Sequence, residues 1–154
     1  MKRLLIASAA AAAVLVYAVV NATAGGSGPA KAGGSIHVVE RATTDAVTNG
    51  EAGDAAGNVL TFANDVYDAS NTQKVGSDQG YCVRIVAGAT WECNWTTFLP
   101  DGQITVEGPF SDTGATVLAV TGGTGAYRNS RGSMRLEFHN AAGTEFDFVF
   151  DLVG

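Results

Sequence analysis

"TEFDFVFDLV", residues 144–153, places an apolar side chain at every second position from Phe146 to Leu152. The acidic residues fall on one side of an extended chain, and the other side carries Phe146, Phe148, Phe150 and Leu152. Side chains of a β-strand point alternately to its two faces, so this pattern predicts a strand with one buried and one wet face.

The same period of two recurs upstream. In "GSMRLEFHN", residues 132–140, the apolar Met134, Leu136 and Phe138 alternate with charged residues. Six earlier segments are predicted strands: Ile36–Ala42, Leu60–Tyr67, Gly80–Ala87, Thr90–Leu99, Gln103–Glu107 and Val117–Thr121. About eight short strands, with no helical period past residue 35, are typical of an all-β barrel or sandwich.

Turn residues separate these segments. Pro100-Asp101-Gly102 predicts a hairpin with Asp101-Gly102 as the two turn residues, because both tolerate the positive φ of a tight turn. Gly108-Pro109 and Gly122–Gly125 predict further breaks. The second glycine run lacks the lysine and the spacing of a phosphate-binding loop, so we interpret it as a turn.

"GYCVRIVAGATWECNW", residues 80–95, contains both cysteines of the chain. A hairpin whose loop is Val86–Ala89 pairs Ile85 with Thr90 and therefore Cys82 with Cys93. That pair falls at a non-hydrogen-bonded position, where facing side chains come closest. The register predicts a Cys82–Cys93 disulfide in an exported protein, with two free thiols in a pocket as the alternative.

The same register puts Arg84 opposite Trp91 on a largely apolar face that continues through Trp95. We expect this face to point inward, where a guanidinium must be hydrogen-bonded or stacked. Arg84 either stacks on Trp91 and binds a backbone carbonyl, or meets a polar or anionic group of a ligand in an aromatic-lined cavity. Apolar residues on the opposite face, such as Tyr81 and Val83, predict an oligomer interface or a covering loop.

The beginning of the chain predicts export. Lys2 and Arg3 precede an apolar run from Leu4 to Val20, and Ala22-Thr23-Ala24 follows. We expect residues 1–24 to be a signal peptide, with an uncleaved membrane anchor as the alternative. Residues 25–34 then form a flexible leader and residues 35–154 one domain of a secreted, extracellular protein.

Charge limits the partners. Removal of Lys2 and Arg3 leaves seven Lys and Arg against fifteen Asp and Glu, a net charge near −8. Such a chain repels phosphate backbones and anionic membranes, so we expect neither as a partner after signal cleavage. His37 and His139 lie far apart without ligand spacing, and no G-x-S-x-G elbow occurs, so no metal or cofactor is expected.

Three stretches, taken in order, resemble the allene oxide cyclase family, which is related to the plant dirigent proteins. They are "LTFANDVYD" with "KVGSDQGYCV" (Leu60–Val83), "LPDGQITVEGPFSD" (Leu99–Asp112) and "LAVTGGTGAYRNSRGSMRL" (Leu118–Leu136). The resemblance covers roughly residues 36–153. It implies an eight-stranded antiparallel β-barrel, usually trimeric, with a pocket in its bore.

The resemblance also implies site residues. Plant allene oxide cyclases close an unstable fatty-acid epoxide into a cyclopentenone, mainly by holding it folded, and dirigent proteins steer similar steps. Asn64 matches an asparagine that positions a water or substrate oxygen, and Cys82 matches a pocket cysteine. Glu40, with His37 as the alternative, falls near the glutamate that polarises the substrate. Arg84 stands where the plant cyclases have an apolar residue, which argues against a fatty-acid tail there.

The sequence thus favours a secreted barrel that binds a small hydrophobic or aromatic molecule in its bore and steers its cyclisation or coupling, as an isomerase or cyclase would. The expected pocket residues are Asn64, Cys82, Arg84, Trp91 and Trp95, with Glu40 as the catalytic group. One alternative is a non-catalytic barrel whose core is filled by side chains. The other is a secreted interaction protein that works through its outer wall.

Overall fold

The computed structural model describes residues 33–153, which form nine β-strands and one short 3-10 helix. The expected signal peptide and most of the expected leader lie outside the described residues. The elements are β1 Gly34–Arg41, β2 Ala46–Asn49, β3 Val59–Asp68, β4 Lys74–Val86, β5 Thr90–Leu99, β6 Gly102–Ser111, β7 Thr116–Gly123, the 3-10 helix Gly125–Tyr127, β8 Arg131–Phe138 and β9 Glu145–Val153.

Eight of these strands close into an antiparallel barrel in the order β1-β9-β8-β7-β6-β5-β4-β3. Closure is made by β1 and β3, which pair from Val38–Asp68 to Arg41–Asp65. The short β2 lies outside the closed set and pairs with the first residues of β3. The predicted eight-stranded antiparallel barrel is therefore confirmed.

All eight predicted strands are present, and three pieces of strand escaped prediction: β2, the first half of β4 and the end of β6. The residues of β2 are all exposed, so they carry no apolar period. The first half of β4, Lys74–Gln79, lies outside the predicted strand, because its inward positions are Gly76 and Asp78 rather than apolar residues. Alternation of hydrophobicity finds a strand only where the buried face is apolar.

Two turn predictions were wrong in register. Val86, not Ile85, pairs with Thr90, because a β-bulge between Arg84 and Val86 leaves Ile85 as the extra residue. At the next hairpin Leu99 pairs with Gly102, so the turn is Pro100-Asp101 rather than Asp101-Gly102. Neither error changes which residues face the bore. At the first hairpin the bulge accommodates Ile85, so Arg84 still pairs with Trp91. At the second hairpin the pairing is shifted by two positions, which leaves every side chain on its predicted face.

Gly108-Pro109 does not break the chain, contrary to expectation, because β6 continues through Ser111. Gly108 has a φ of 149°, and a Cβ there would lie 3.1 Å from the Cα of Leu118. Glycine is thus required for the close approach of β7. Pro109 follows the last β6–β7 pair, Glu107–Ala119, where its missing N–H costs no ladder hydrogen bond to β7.

Side chains fill one half of the bore and leave a cavity in the other. We call the end that carries loops 42–45, 87–89, 112–115 and 139–144 the upper end. The filled part contains fully buried apolar residues, among them Ile104, Val106, Leu118, Met134, Phe148 and Phe150. Within residues 33–153, no helix is long and apolar enough to cross a membrane.

Candidate functional site

A cavity of about 70 Å³ opens at the upper end of the barrel. Its walls are mostly apolar, and its lining residues are Glu40, Asp45, Leu60, Phe62, Cys82, Trp91, Phe110, Leu136 and Phe146. Side chains alternate between the two faces of a strand, so every second residue points into the bore. The cavity is lined by such inward residues near the upper ends of seven strands and by one loop residue.

Aromatic rings stabilise one wall of the cavity. Phe110 and Phe146 are in edge contact with ring centroids 5.6 Å apart, and Phe138 packs 5.3 Å from Phe146. Such edge-to-face contacts fix ring orientation in addition to burying apolar area. The wall therefore presents a defined aromatic surface to any bound molecule.

Glu40 is the last inward residue of β1 and only 6% exposed. The Asn64 side chain on β3 donates from Nδ2 to Glu40 Oε1 at 2.8 Å and to Asp45 Oδ1 at 2.7 Å. A buried carboxyl needs such donors, because burial without hydrogen bonds is costly. Asn64 thus joins the strand carboxyl to the loop carboxyl.

Asn64 itself is held in one orientation. Its Oδ1 accepts hydrogen bonds from the backbone N–H groups of Thr43 and Thr44, both at 3.0 Å, and from Thr44 Oγ1 at 2.9 Å. With the oxygen turned to these donors, the amide nitrogen must face the carboxyl groups. The loop after β1 therefore orients the residue that binds Glu40.

Asp78 on β4 is a second buried carboxyl group, 2% exposed, and its Oδ1 accepts the backbone N–H of Asn64 at 3.3 Å. Sequence reasoning missed this residue. Extending the period of two backward from Cys82 through Gly80 would have placed Asp78 inside the barrel.

Burial raises the pKa of both carboxyl groups. Desolvation and then the nearby charge of Asp78 hold the pKa of Glu40 well above its usual value, against the lowering effect of the Asn64 hydrogen bond. Desolvation likewise raises the pKa of Asp78 to about 7, while a hydrogen bond from Glu40 lowers it. Both carboxyl groups therefore keep their protons to a higher pH than exposed carboxyl groups do.

Arg84 lies at the rim and is neutralised by two loop carboxylates. Its Nη1 donates to Asp112 Oδ2 at 2.6 Å, its Nε lies 2.6 Å from Asp54 Oδ1, and its Cζ stands 3.9 Å from the Trp91 ring centroid. The stacking on Trp91 follows the sequence prediction, whereas carboxylates replace the expected backbone carbonyl. Arg84 packs against Trp91, which lines the cavity, but Arg84 itself is not among the lining residues.

Cys82 and Cys93 form the predicted disulfide, with Cα atoms 4.0 Å apart across β4 and β5. Cys82 lines the cavity, so the bond fixes one wall of it. Both side chains are buried.

Trp95 lies deeper than the cavity, in the filled half of the bore. Its ring contacts Phe62 and Phe148, with centroids 6.0 and 5.3 Å away. The facing residue is Gly80, where a Cβ would lie 2.3 Å from the Trp95 Cβ. Of the five expected pocket residues, Cys82 and Trp91 line the cavity, Asn64 binds Glu40, and Arg84 and Trp95 support the walls.

His37 and His139, distant in the sequence, both lie against the Asp147 carboxylate on the outer surface. His37 Nε2 is 2.7 Å and His139 Nδ1 is 3.1 Å from Asp147 Oδ1. Glu40, not His37, therefore faces the bore. Over residues 33–153 no group of three or more His, Cys, Asp or Glu side chains is arranged to hold a metal ion.

The family model described as allene oxide cyclase matches residues 36–144. Among solved structures, an exo-specific intermolecular Diels-Alderase, AbnU, is similar with a TM-score of 0.63 and 17% identity, over 79% of this chain and 98% of that one. A pterocarpan synthase dirigent protein gives 0.62 and 19%, over 81% and 98%. A pyocyanin demethylase gives 0.59 and 20%, over 76% and 100%. At these identities the likeness to solved structures shows a shared fold.

Proposed function

The chain belongs to the allene oxide cyclase family, and we propose that it binds a small hydrophobic or aromatic molecule at the upper end of its barrel and directs its cyclisation or coupling. The observation that carries this proposal is a pair of buried carboxyl groups with raised pKa values, Glu40 and Asp78, the first of which lines an apolar cavity. Polar groups that converge in an otherwise apolar concavity are the usual mark of a ligand site.

The proposed catalysis is mainly positional. Aromatic and aliphatic walls hold a flexible substrate in one folded conformation, which lowers the entropic barrier to ring closure or coupling. Glu40 then exchanges a proton or a hydrogen bond with a substrate oxygen, since a raised pKa keeps a transferable proton near neutral pH. Asn64 acts as a positioning residue that orients Glu40.

The size of the cavity limits what can enter. At about 70 Å³ it is far smaller than the roughly 300–1,000 Å³ of sites that enclose a drug-sized ligand. We therefore place only the reacting part of the substrate inside, with the remainder along the rim at Leu60 and Phe110. The same small volume supports a second candidate, a non-catalytic binding barrel with a largely filled core.

The similar structures support the first candidate. Their names include a pterocarpan synthase dirigent protein and an intermolecular Diels-Alderase. A barrel of this kind that positions small molecules for bond formation is consistent with the cavity described above.

Product stereochemistry tests the proposal. The protein is incubated with a panel of small polyene epoxides, which cyclise spontaneously, and of phenols supplied with a one-electron oxidant, which couple as phenoxy radicals, and products are separated on a chiral column. We expect one enantiomer in excess with the wild type, less excess with Glu40→Gln, and no change with the exposed control Glu137→Gln. Racemic products over the whole panel would favour the non-catalytic candidate.

We also propose that the protein is exported through its N-terminal segment. Support comes from the apolar run with its A-x-A site and from the Cys82–Cys93 disulfide, a bond typical of oxidising compartments. The mass of protein recovered from the medium should correspond to a chain that starts after Ala24. Recovery only of full-length protein in the cell fraction would contradict export.

A homotrimer is proposed as well, formed through the outer wall. Tyr81 and Ile85, which flank Val83 on this wall, are 50% and 54% exposed, which is unusual for large apolar side chains on one face of a strand. Light scattering should give three times the chain mass for the wild type and a monomer for Val83→Asp. An unchanged mass for Val83→Asp would exclude this wall as the interface.

A further inference from the structure

We infer that the molecule bound at the upper end carries a positive charge, as a quaternary or protonated amine or an aromatic cation. This inference rests on the proposed function, since it assigns a charge to the ligand of the same cavity. Its basis is the combination of carboxyl groups and aromatic faces around the cavity.

The ionisable side chains that line the cavity are all acidic. Glu40 and Asp45 supply its carboxyl groups, and over residues 33–153 the lining includes no Lys, Arg or His. Arg84, which stacks on the cavity residue Trp91, is bound by both Asp54 and Asp112. An anionic ligand would therefore meet repulsion, whereas a cation would find carboxylates in a partly desolvated site, where attraction is stronger than in water.

The walls suit a cation equally well. Phe62, Phe110 and Phe146 line the cavity, and aromatic faces attract cations through their negative quadrupole. Arg84 already occupies one face of Trp91, so these three rings supply the remaining aromatic surface. Aromatic walls combined with carboxylates are the recurring way in which proteins bind quaternary ammonium groups.

Binding of a cation should be linked to proton release. The charged groups that act on Glu40 are Asp78 on β4 and Asp45 on the loop after β1, while β9 presents Phe146 to it. These surroundings favour the protonated form of Glu40 in the free protein. A bound cation favours the ionised form, so affinity should rise with pH and each binding event should release a proton to solvent.

Choline and 3,3-dimethyl-1-butanol form a matched probe pair, since they share shape and hydroxyl group and differ in charge. Titrations of the wild type, followed by tryptophan fluorescence and by calorimetry in two buffers of different ionisation enthalpy, are run at pH 6 and pH 8. We expect choline to bind roughly ten-fold more tightly than the alcohol at pH 8, more weakly at pH 6, and with proton release. Glu40→Gln should abolish the proton release, and Asp151→Asn, on the outer wall, should leave all values unchanged.

Equal or tighter binding of the uncharged alcohol, or choline binding without proton release, would overturn the inference. If Glu40→Gln does not fold, the choline affinity of the wild type at pH 6 and pH 8 is sufficient to test the inference. Geraniol, an uncharged hydrophobic alcohol, separates the two proposals. If geraniol binds and choline does not, the protein has a hydrophobic binding site but its ligand is not a cation. If none of the three probes binds, both the proposed function and the inferred charge of the ligand are contradicted.

Discussion

Asn64 joins Glu40 and Asp78: its side-chain Nδ2 donates to Glu40 Oε1 at 2.8 Å, and its backbone N–H donates to Asp78 Oδ1 at 3.3 Å. Three strands, β1, β3 and β4, are thus tied together by polar contacts inside an apolar bore. Buried polar networks of this kind are costly unless every member is satisfied. Retention of so costly a pair fits the ligand site that we propose beside it.

The first prediction concerns the pH dependence of stability. The pKa of Asp78 is raised from 3.8 to about 7 in the folded protein, so the stabilisation from this group is fully present below about pH 4 and is lost as the pH rises through 7. Asp78→Asn should flatten the dependence between pH 5 and 8 and raise the free energy of unfolding at pH 8 by roughly 2–4 kcal/mol. Urea denaturation at several pH values measures both effects.

Asp151→Asn is the matched control, because that carboxylate is exposed on the outer face of β9. It should reproduce the wild-type curve. A wild-type pH slope in Asp78→Asn would show that the buried carboxyl is not the titrating group.

The second prediction concerns the disulfide. The bond closes a short loop, with 11 residues of separation between Cys82 and Cys93, and the chain-entropy relation gives such a bond about 2–3 kcal/mol. Cys82→Ala/Cys93→Ala should lose about that much free energy of unfolding. Reductant should lower the stability of the wild type and leave the double variant unchanged. Thiol labelling of the unreduced, denatured wild type should add no mass, and two labels per chain would refute the bond.

The third prediction concerns the Arg84 ion pairs. The guanidinium is 8% exposed and bound by Asp112 and the more exposed Asp54. Arg84→Met keeps the apolar stem over Trp91 but leaves two loop carboxylates without their partner, at a cost of roughly 1–3 kcal/mol once solvent screening is considered. Arg135→Met is the control, since its pair with Glu137 is exposed. If both variants lose equal stability in urea denaturation, burial of the Arg84 pairs has no special effect.

The fourth prediction concerns Gly80. A Cβ at this position would lie 2.3 Å from the Trp95 Cβ and 2.4 Å from the Asn94 carbonyl oxygen. Gly80→Ala should therefore lower the free energy of unfolding by about 3 kcal/mol or more, or prevent folding, because backbone must move to admit the methyl group. Gly114→Ala, where a Cβ meets nothing within 4 Å, should be nearly neutral. Similar melting temperatures for the two variants would contradict this packing.

Local pattern was sufficient for much of the fold. The Cys82–Cys93 pair and the inward face of β5 followed from alternation, since a one-residue slip would bury the wrong face. The predicted pairing of Cys82 with Cys93 is correct although the predicted loop was wrong, because the bulge at Ile85 accommodates the one extra residue. The barrel itself, as opposed to a sandwich, came from the family resemblance.

Long-range packing determined what the sequence could not predict. Asp78 carries no hydrophobic signal, and its link to Glu40 through Asn64 depends on β1 closing against β3. The two partners of Arg84 come from loops 30 and 28 residues away along the chain, at Asp54 and Asp112. The cavity exists because Trp95 and Phe62 pack around Gly80 below it, a three-dimensional fit that no periodicity encodes.

The central claim is that the upper end of the barrel binds a small hydrophobic molecule, and tryptophan-resolved titration tests it most directly. Trp91 lines the cavity and Trp95 lies below it, so Trp95→Phe leaves a reporter at the site and Trp91→Phe leaves one outside it. Geraniol should change the fluorescence of the Trp95→Phe protein saturably and leave that of the Trp91→Phe protein nearly unchanged. An equal response from both variants, or none from either, would contradict the account.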